Sequence, residues 1–155
     1  MTYKVQDGYV GGEAMLYCNA GSFESPDWQL VSNRSDIAIP DSRTAVASPI
    51  AAQWPFIGHL SGSRDLGMTF SANKNRGASD TVTAALLAAY DAGTPLEFMI
   101  CDGPKEDNGT NYRRLTVVLT KADEADPMDN AVTWAFEGKF ALNAAGLPTR
   151  GTVSA

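Results

Sequence analysis

His59 is the only histidine in the sequence, so any catalytic mechanism that needs an imidazole must use it. It lies in the apolar run FIGHL over residues 56–60, a pattern typical of a β-strand. A histidine in such a strand is more often a structural or surface residue than a general base. The sequence also contains no G-x-S-x-G, H-E-x-x-H, Walker lysine or G-x-G-x-x-G motif. These observations predict a protein that is not an enzyme, and His59 is the residue to test if it is one.

The two cysteines, Cys18 and Cys101, form no C-x-x-C pair and have no histidine nearby in sequence. Residues 1–8 are largely polar and provide no secretory leader, so the expected site of synthesis is the cytosol, where cysteines stay reduced. We therefore expect both to be buried free thiols. The longest run of small apolar residues, 84–90, is too short to cross a bilayer, and no membrane partner is expected.

The acidic side chains do not have the spacing of a calcium site. Four of them crowd one segment: Asp123, Glu124, Asp126 and Asp129. An EF-hand loop beginning at Asp123 would place Ala125 at its third position and Met128 at its sixth, where glycine is required. A loop beginning at Asp102 would end on Arg113. These segments are therefore expected to be solvated turns, with no metal or cofactor.

The aromatic residues could form a stacking platform for a sugar or a base. They include Trp28, Trp54, Trp134, Phe56, Phe70 and Phe136. Trp134 and Phe136 share one strand face, however, which is the pattern of ordinary core packing. Trp54 lies at the end of a long segment without periodicity, so a role in an interface is an alternative to core packing for this residue. A carbohydrate-binding β-sandwich module that uses Trp28 or Trp54 stays open as an alternative.

The charge balance argues against a stable complex with nucleic acid. The chain has 18 acidic and 12 basic residues and a net charge of -6, and its basic residues are scattered rather than gathered in a stripe. An acidic surface would let DNA slide past without specific binding.

The order of strand and helix patterns along the chain predicts an α+β protein, mainly antiparallel β: a β-sandwich or barrel with one flanking helix. Its 155 residues suit one domain. Strands are expected near 14–19, 27–39, 96–101, 112–121, 132–136 and 139–142, and a hairpin over 56–62 and 66–72 that turns at residues 63–65. Residues 41–55 show no period and are expected to form a long surface loop.

The helix is expected over residues 81–92. Val82, Leu86 and Tyr90 recur at i, i+4 and i+8, with Asp80 or Ser79 as the N-terminal cap. Gly93 then ends the helix. The predicted organisation is a flexible N-terminal arm (1–13), a β domain (14–142) and a C-terminal tail (143–155).

Three segments resemble the major tail tube proteins of long-tailed bacteriophages. They are LSGSRDLGMTF over 60–70; Asp80, a short Ala-rich helix, AGTPL and CDG over 80–103; and DPMDN leading into VTWAFEG over 126–138. The similarity covers roughly residues 14–142 and lies in the order of elements more than in an invariant motif. Residues 34–55 depart from the family pattern.

This resemblance implies two antiparallel sheets with a flanking helix, a fold related to the tubes of type VI secretion systems. It also implies six-membered rings that stack into a tube through which DNA passes during ejection. The implied partners are copies of the chain itself, then tape measure, tail terminator and baseplate or tail-tip proteins. The implied location is the virion tail, assembled in the bacterial cytoplasm.

Within that interpretation, the segment 41–54 and the N-terminal arm are expected to join one ring to the next, and residues 57–71 to form part of the channel wall. The candidate assembly residues are Asp41, Ser42, Arg43, Thr44, Trp54, His59, Arg64 and Asp65. A tube protein of the type VI secretion kind is the alternative within the same structural class.

Overall fold

A computed structural model describes residues 14–49, 54–74, 80–129, 131–141 and 147–154. These residues form nine strands and one helix. In chain order they are β1 (Met15–Asn19), β2 (Trp28–Leu30), β3 (Arg34–Ala38), β4 (Asp41–Ser48), β5 (Gly58–Asn73), α1 (Thr81–Ala92), β6 (Leu96–Cys101), β7 (Asn111–Ala125), β8 (Thr133–Phe140) and β9 (Thr149–Thr152). The predicted N-terminal arm, 1–13, lies outside the described residues.

The strands form one antiparallel hydrogen-bonded system with the order β2-β1-β6-β7-β8-β5-β3. The two long strands each pair with different neighbours along their length. β7 pairs with β6 and β9 near its start and with β8 over Val117–Ala125. β5 pairs with β4 over its first half and with β8 and β3 over its second. The expected mainly antiparallel α+β class is confirmed.

A core of apolar side chains shows that this sheet curls over itself. Leu16 of β1 and Phe98 of β6 share the core with Phe70 of β5, and Ile37 of the opposite edge strand packs against the same cluster. Phe70 lies edge-on to Phe98 at 5.7 Å between ring centroids and stacks on Phe136 at 5.1 Å. Strands from both ends of the order therefore cover one core, as in a β-sandwich.

The helix α1 closes one side of this core, with the predicted bounds. Leu86 is fully buried, and Val82 and Leu87 pack against the core. The Asp80 carboxylate accepts a hydrogen bond from the Thr83 backbone N–H at 3.0 Å, which satisfies one of the free donors of the first turn. Gly93 ends the helix at a φ of 68°, in the left-handed region that favours glycine.

A second, smaller cluster lies on the opposite face of β1 and β6. It contains Tyr17, Met99 and Cys101, with Trp28 packed against it. Beside it the Arg114 guanidinium stacks on the rings of Trp28 and Phe23 and donates to Glu97 Oε1 at 2.8 Å. This contact holds the β1–β2 connection against the sheet.

Two of the local predictions are wrong. The long loop expected over 41–55 is strand β4 from Asp41 to Ser48, and the hairpin turn expected at 63–65 is absent because β5 runs unbroken from Gly58 to Asn73. Both strands are solvent-exposed on both faces in this region, so their sequences show no apolar alternation and contain polar residues typical of turns.

Two further segments carry more strand than expected. Part of the predicted C-terminal tail is strand β9, which pairs with β7. The acidic turn expected from Asp123 begins later, because β7 continues to Ala125. Within the described ranges, no helix is long and apolar enough to span a membrane.

Candidate assembly surface

A two-stranded ribbon extends from the sheet and forms the candidate assembly surface. It consists of β4 and residues 58–66 of β5, and we call it the hairpin arm. Ser42 lies opposite Asp65, and Ser48 lies opposite Gly58. At about 3.3 Å per residue, the eight residues of β4 give the arm a length of roughly 25 Å. Because β8 pairs only with the later half of β5, the arm projects beyond the end of β8.

The hairpin arm presents apolar side chains that the chain's own core leaves uncovered. Val46 and Leu60 lie directly opposite each other across the two strands, with 53% and 62% of their surface exposed. Near the tip, Trp54, Phe56 and Ile57 are exposed by 83%, 80% and 59%. An exposed apolar cluster on a protruding element is a common mark of a protein–protein interface.

The outer edge of β4 is a second unsatisfied feature. Among the described strands, β4 pairs with β5 alone. Its other edge therefore carries backbone N–H and C=O groups that no other described strand pairs with, which is a template for pairing with another chain.

A bulge in the middle of the hairpin arm sets its local shape. The register shifts between Arg43 and Ala45, opposite an extra residue in β5. The Thr44 hydroxyl lies 3.3 Å from the carbonyl oxygen of Ser63. A Cβ atom at Gly62 would meet the Thr44 Oγ1 at 2.4 Å and its backbone oxygen at 2.9 Å, so only glycine fits without displacing the partner strand.

At the root of the arm, one carboxylate joins three strands. The Asp41 oxygens accept hydrogen bonds from Arg64 at 2.7 and 2.5 Å, in the two-pronged geometry of an Arg–carboxylate pair. Arg113 of β7 donates to Asp41 Oδ2 at 2.9 Å, and Arg150 of β9 lies 4.0 Å from the same oxygen. The hydrogen bonds from Arg64, followed by those from Arg113, hold the pKa of Asp41 below its usual value.

A second ion pair ties the arm to the sheet, at a more exposed position. Lys139 of β8 donates to Asp65 at 3.1 Å, with side chains 58% and 69% exposed. Asp41 and Arg113, by contrast, are 22% and 17% exposed. Exposed pairs contribute only about 0–1 kcal/mol, so the Asp65 pair is a weak restraint on the arm.

The structure places the eight candidate assembly residues on or beside the hairpin arm. Asp41, Ser42, Arg43 and Thr44 lie on β4, while His59, Arg64 and Asp65 lie on the facing part of β5. Asp41 and Arg64 form a direct ion pair, and His59 lies opposite Ala47 across the two strands. Trp54 lies apart, in the connection between the strands.

Sequence reasoning missed several residues of this surface. Arg113 and Arg150 come from distant strands, and no local pattern connects either with Asp41. In the sequence, Val46 and Leu60 are isolated apolar residues in polar segments. Only the pairing of the two strands shows that they lie side by side.

Nothing on this surface has the arrangement of a catalytic or metal centre. His59 is exposed on the arm, and the described residues contain no group of three or more metal-binding side chains. Cys18 and Cys101 are buried free thiols, as expected, and burial raises the pKa of each to about 11. Trp28 is stacked by Arg114, which leaves this ring poorly placed as a sugar platform.

Comparison with solved structures identifies the fold, whereas comparison of sequences finds nothing. No protein-family model matches the chain, and no curated protein matches it. Several solved structures superimpose over nearly its whole length. The SPP1 tail tube has a TM-score of 0.72 at 13% identity and covers 94% of this chain and 80% of its own.

Two further matches come from other particles. A chain from the tail of an empty gene transfer agent particle, computed with C6 symmetry, has a TM-score of 0.67 at 12% identity over 95% of this chain and all of its own. A chain of the anti-feeding prophage baseplate, 6-fold symmetrised, has a TM-score of 0.62 at 6% identity and covers 96% and 97%. The chain therefore has the fold of phage tail tube proteins.

Proposed function

We propose that this protein is the structural subunit of a phage tail tube, which self-assembles into stacked hexameric rings around a channel for DNA. The observation that carries the proposal is the hairpin arm: it projects about 25 Å and offers exposed Val46 and Leu60 together with a strand edge that none of the described strands pairs with. The main core of the subunit contains no residue of this element. An assembly gains an interface that removes the edge.

The sixfold ring is supported by the symmetry of the structural neighbours. The gene transfer agent tail has C6 symmetry and the anti-feeding prophage baseplate was 6-fold symmetrised. A ring arises when each subunit contacts the next through two different surfaces and the rotation closes. In this proposal the free sheet edges pair within a ring, and the hairpin arm, with the N-terminal segment 1–13, reaches the next ring.

Because residues 58–66 belong to the hairpin arm, only the later part of the expected wall segment 57–71 lines the channel in this proposal. It does so together with β8, on the face that points away from the core. Strand alternation places Thr69, Ser71, Glu137 and Lys139 on this face, opposite buried Phe70 and Phe136. It is polar and mixed in charge, with no stripe of basic residues. Such a wall would allow DNA to pass without holding its phosphates.

The proposed role is structural rather than enzymatic and needs no cofactor. Its further partners would be the tape measure, tail terminator and baseplate or tail-tip proteins, and its location the virion tail after assembly in the host cytoplasm. A tube of the type VI secretion kind would use the same surfaces, and the genes that adjoin this one would distinguish the two.

The test is negative-stain electron microscopy of concentrated protein, with the mass in solution measured by light scattering. Hollow tubes or sixfold rings are the expected result. A monomer at every concentration, even after addition of tail-tip complexes as initiators, would contradict the proposal. Binding to a glycan array that is lost in Trp54→Ala would then favour the carbohydrate-binding alternative.

A further inference from the structure

We infer that Asp41 is a positioning residue: its carboxylate latches the hairpin arm to the body of the protein and holds the arm in one orientation before assembly. The inference concerns how the arm is oriented, and its consequence for assembly rests on the proposed tail tube function. Three observations support the inference: the contacts that Asp41 makes, the small number of other side-chain contacts that hold the arm, and the positive charges around Asp41.

The first observation is that Asp41 joins elements that the sheet does not join. Asp41 begins β4 and bonds to Arg64 on the facing strand of the arm, and it also bonds to Arg113 on β7. β4 and β7 are not neighbours in the strand order. The Asp41–Arg113 contact therefore fixes the arm relative to β7, which lies two strands from β5 in the strand order.

The second observation is that few side-chain contacts hold the arm beyond its root, where Leu66 is buried and the Gly67 N–H donates to the Pro40 carbonyl oxygen. Its residues are largely exposed, and an open groove of about 320 Å³ lies beneath its root, lined in part by Arg43, Phe140 and Leu147. The other ion pair between arm and body, Asp65–Lys139, is well exposed. A two-stranded ribbon with both faces solvated gains little stability from packing. Its orientation consequently depends on the contacts at the root.

The third observation is the charge left if the carboxylate is lost. Arg64, Arg113 and Arg150 all converge on Asp41, so this single negative charge separates three positive ones. Without it, Arg64 on the arm and the two arginines on the body would repel each other. Removal of the charge thus does more than delete a bond: it creates a force that pushes the arm away from the body.

A fixed arm has a direct consequence for assembly. A subunit whose arm visits many orientations binds its neighbour only in the fraction of molecules with the correct one, and the apparent affinity falls by that fraction. The latch provides this orientation in advance.

The test compares Asp41→Asn, which keeps the shape and removes the charge, with the matched control Asp65→Asn on the same arm. Spin labels at Ala47→Cys on the arm and Asp91→Cys on α1 report the arm-to-body distance, and the native thiols are buried and do not compete for label. Of these two variants, only Asp41→Asn should have a broader distance distribution than the wild type. The control should match the wild type.

Further variants separate a latch from a general loss of structure. Arg113→Gln should broaden the distribution less than Asp41→Asn does, because it removes the arm-to-body contact without leaving three arginines to repel each other. The double variant should be no broader than Asp41→Asn, since one of the repelling charges is gone. Asp41→Glu, which restores the charge, should recover part of the narrow distribution. High salt should broaden the wild-type distribution, because ions screen the pair. Urea midpoints close to the wild type would show that the body remains folded.

The assembly readout follows from the same variants. If the freed arm holds the productive orientation about a tenth of the time, the critical concentration for tubes should rise about tenfold in Asp41→Asn. An unchanged distance distribution in both Asp41→Asn and Arg113→Gln would overturn the latch. This result is independent of tube formation, so it is separate from the test of the proposed function.

Discussion

The Asp41 carboxylate and the Arg113 guanidinium meet at 2.9 Å although 72 positions separate them in sequence. Asp41 begins the hairpin arm, and Arg113 lies near the start of β7. Their contact connects the exposed part of the molecule, which the core does not stabilise, to the part that the core does. The properties of the arm and of the core can therefore be tested separately.

Replacement of the apolar pair on the arm should block assembly and leave folding intact. In the variant Val46→Ser with Leu60→Ser, the two exposed side chains lose the apolar surface that a neighbouring copy would bury. The unfolding midpoint in urea should stay near the wild-type value because neither residue belongs to the core. Electron microscopy should show few or no tubes.

Met128→Ser is the matched control for this pair. Met128 is fully exposed on the turn after β7 and lies outside the arm. We expect normal tubes from this variant. Equal tube yields from the arm variant and the wild type would show that the arm's apolar pair takes no part in assembly.

Gly62→Ala should distort the arm without destabilising the core. The new Cβ would lie 2.9 Å from the Thr44 backbone oxygen, so the bulge must shift even if the Thr44 side chain rotates. We expect weaker assembly at an unchanged unfolding midpoint. Gly103→Ala is the control, because its Cβ would meet Thr110 at an ordinary 3.6 Å. A crystal structure of Gly62→Ala with the wild-type arm would refute the steric argument.

Phe136→Ala should destabilise the whole fold. Phe136 is 1% exposed and stacks on Phe70 in the main core. Truncation of a buried phenylalanine costs about 3–5 kcal/mol through lost burial and a residual cavity. Urea denaturation measures the change, and Phe136→Leu should lose much less. A loss below about 1 kcal/mol for the alanine variant would mean that the site is not a packed core.

Sequence-based prediction is accurate for the elements that have a buried apolar face. The helix was predicted with its exact bounds because Val82 and Leu86 are spaced for one buried face and Asp80 and Gly93 cap its ends. β6 and most of β7 were also predicted, since apolar residues mark their buried faces. The order of these elements was sufficient to suggest the tail tube fold at only 6–13% identity to its structural neighbours.

The arm could not be predicted in this way because it has no buried face. Residues 41–48 contain no apolar alternation, and their strand conformation comes from pairing with residues 58–66. The partners of Asp41 come from β7 and β9, so the latch is visible only in three dimensions. An exposed segment lacks the internal core from which apolar periodicity arises.

The buried thiols give a prediction about pH. Burial, together with Glu97 near Cys18 and Asp102 near Cys101, raises the pKa of each thiol to about 11, above the ordinary value. In the unfolded chain both thiols lose their protons near their ordinary pKa, whereas the folded protein keeps them. Alkaline conditions therefore favour the unfolded state, and stability should decline as pH rises from about 9 to about 11.

Urea midpoints measured at intervals across that range test the sign of this effect. The variant with Cys18→Ala and Cys101→Ala should have a lower midpoint at neutral pH, because it loses buried volume, but a shallower decline above pH 9. A thiol reagent should modify the wild type slowly at pH 8 and rapidly after unfolding. Fast modification of the folded protein would show that the cysteines are accessible, and parallel pH profiles for the two proteins would show that other groups cause the decline.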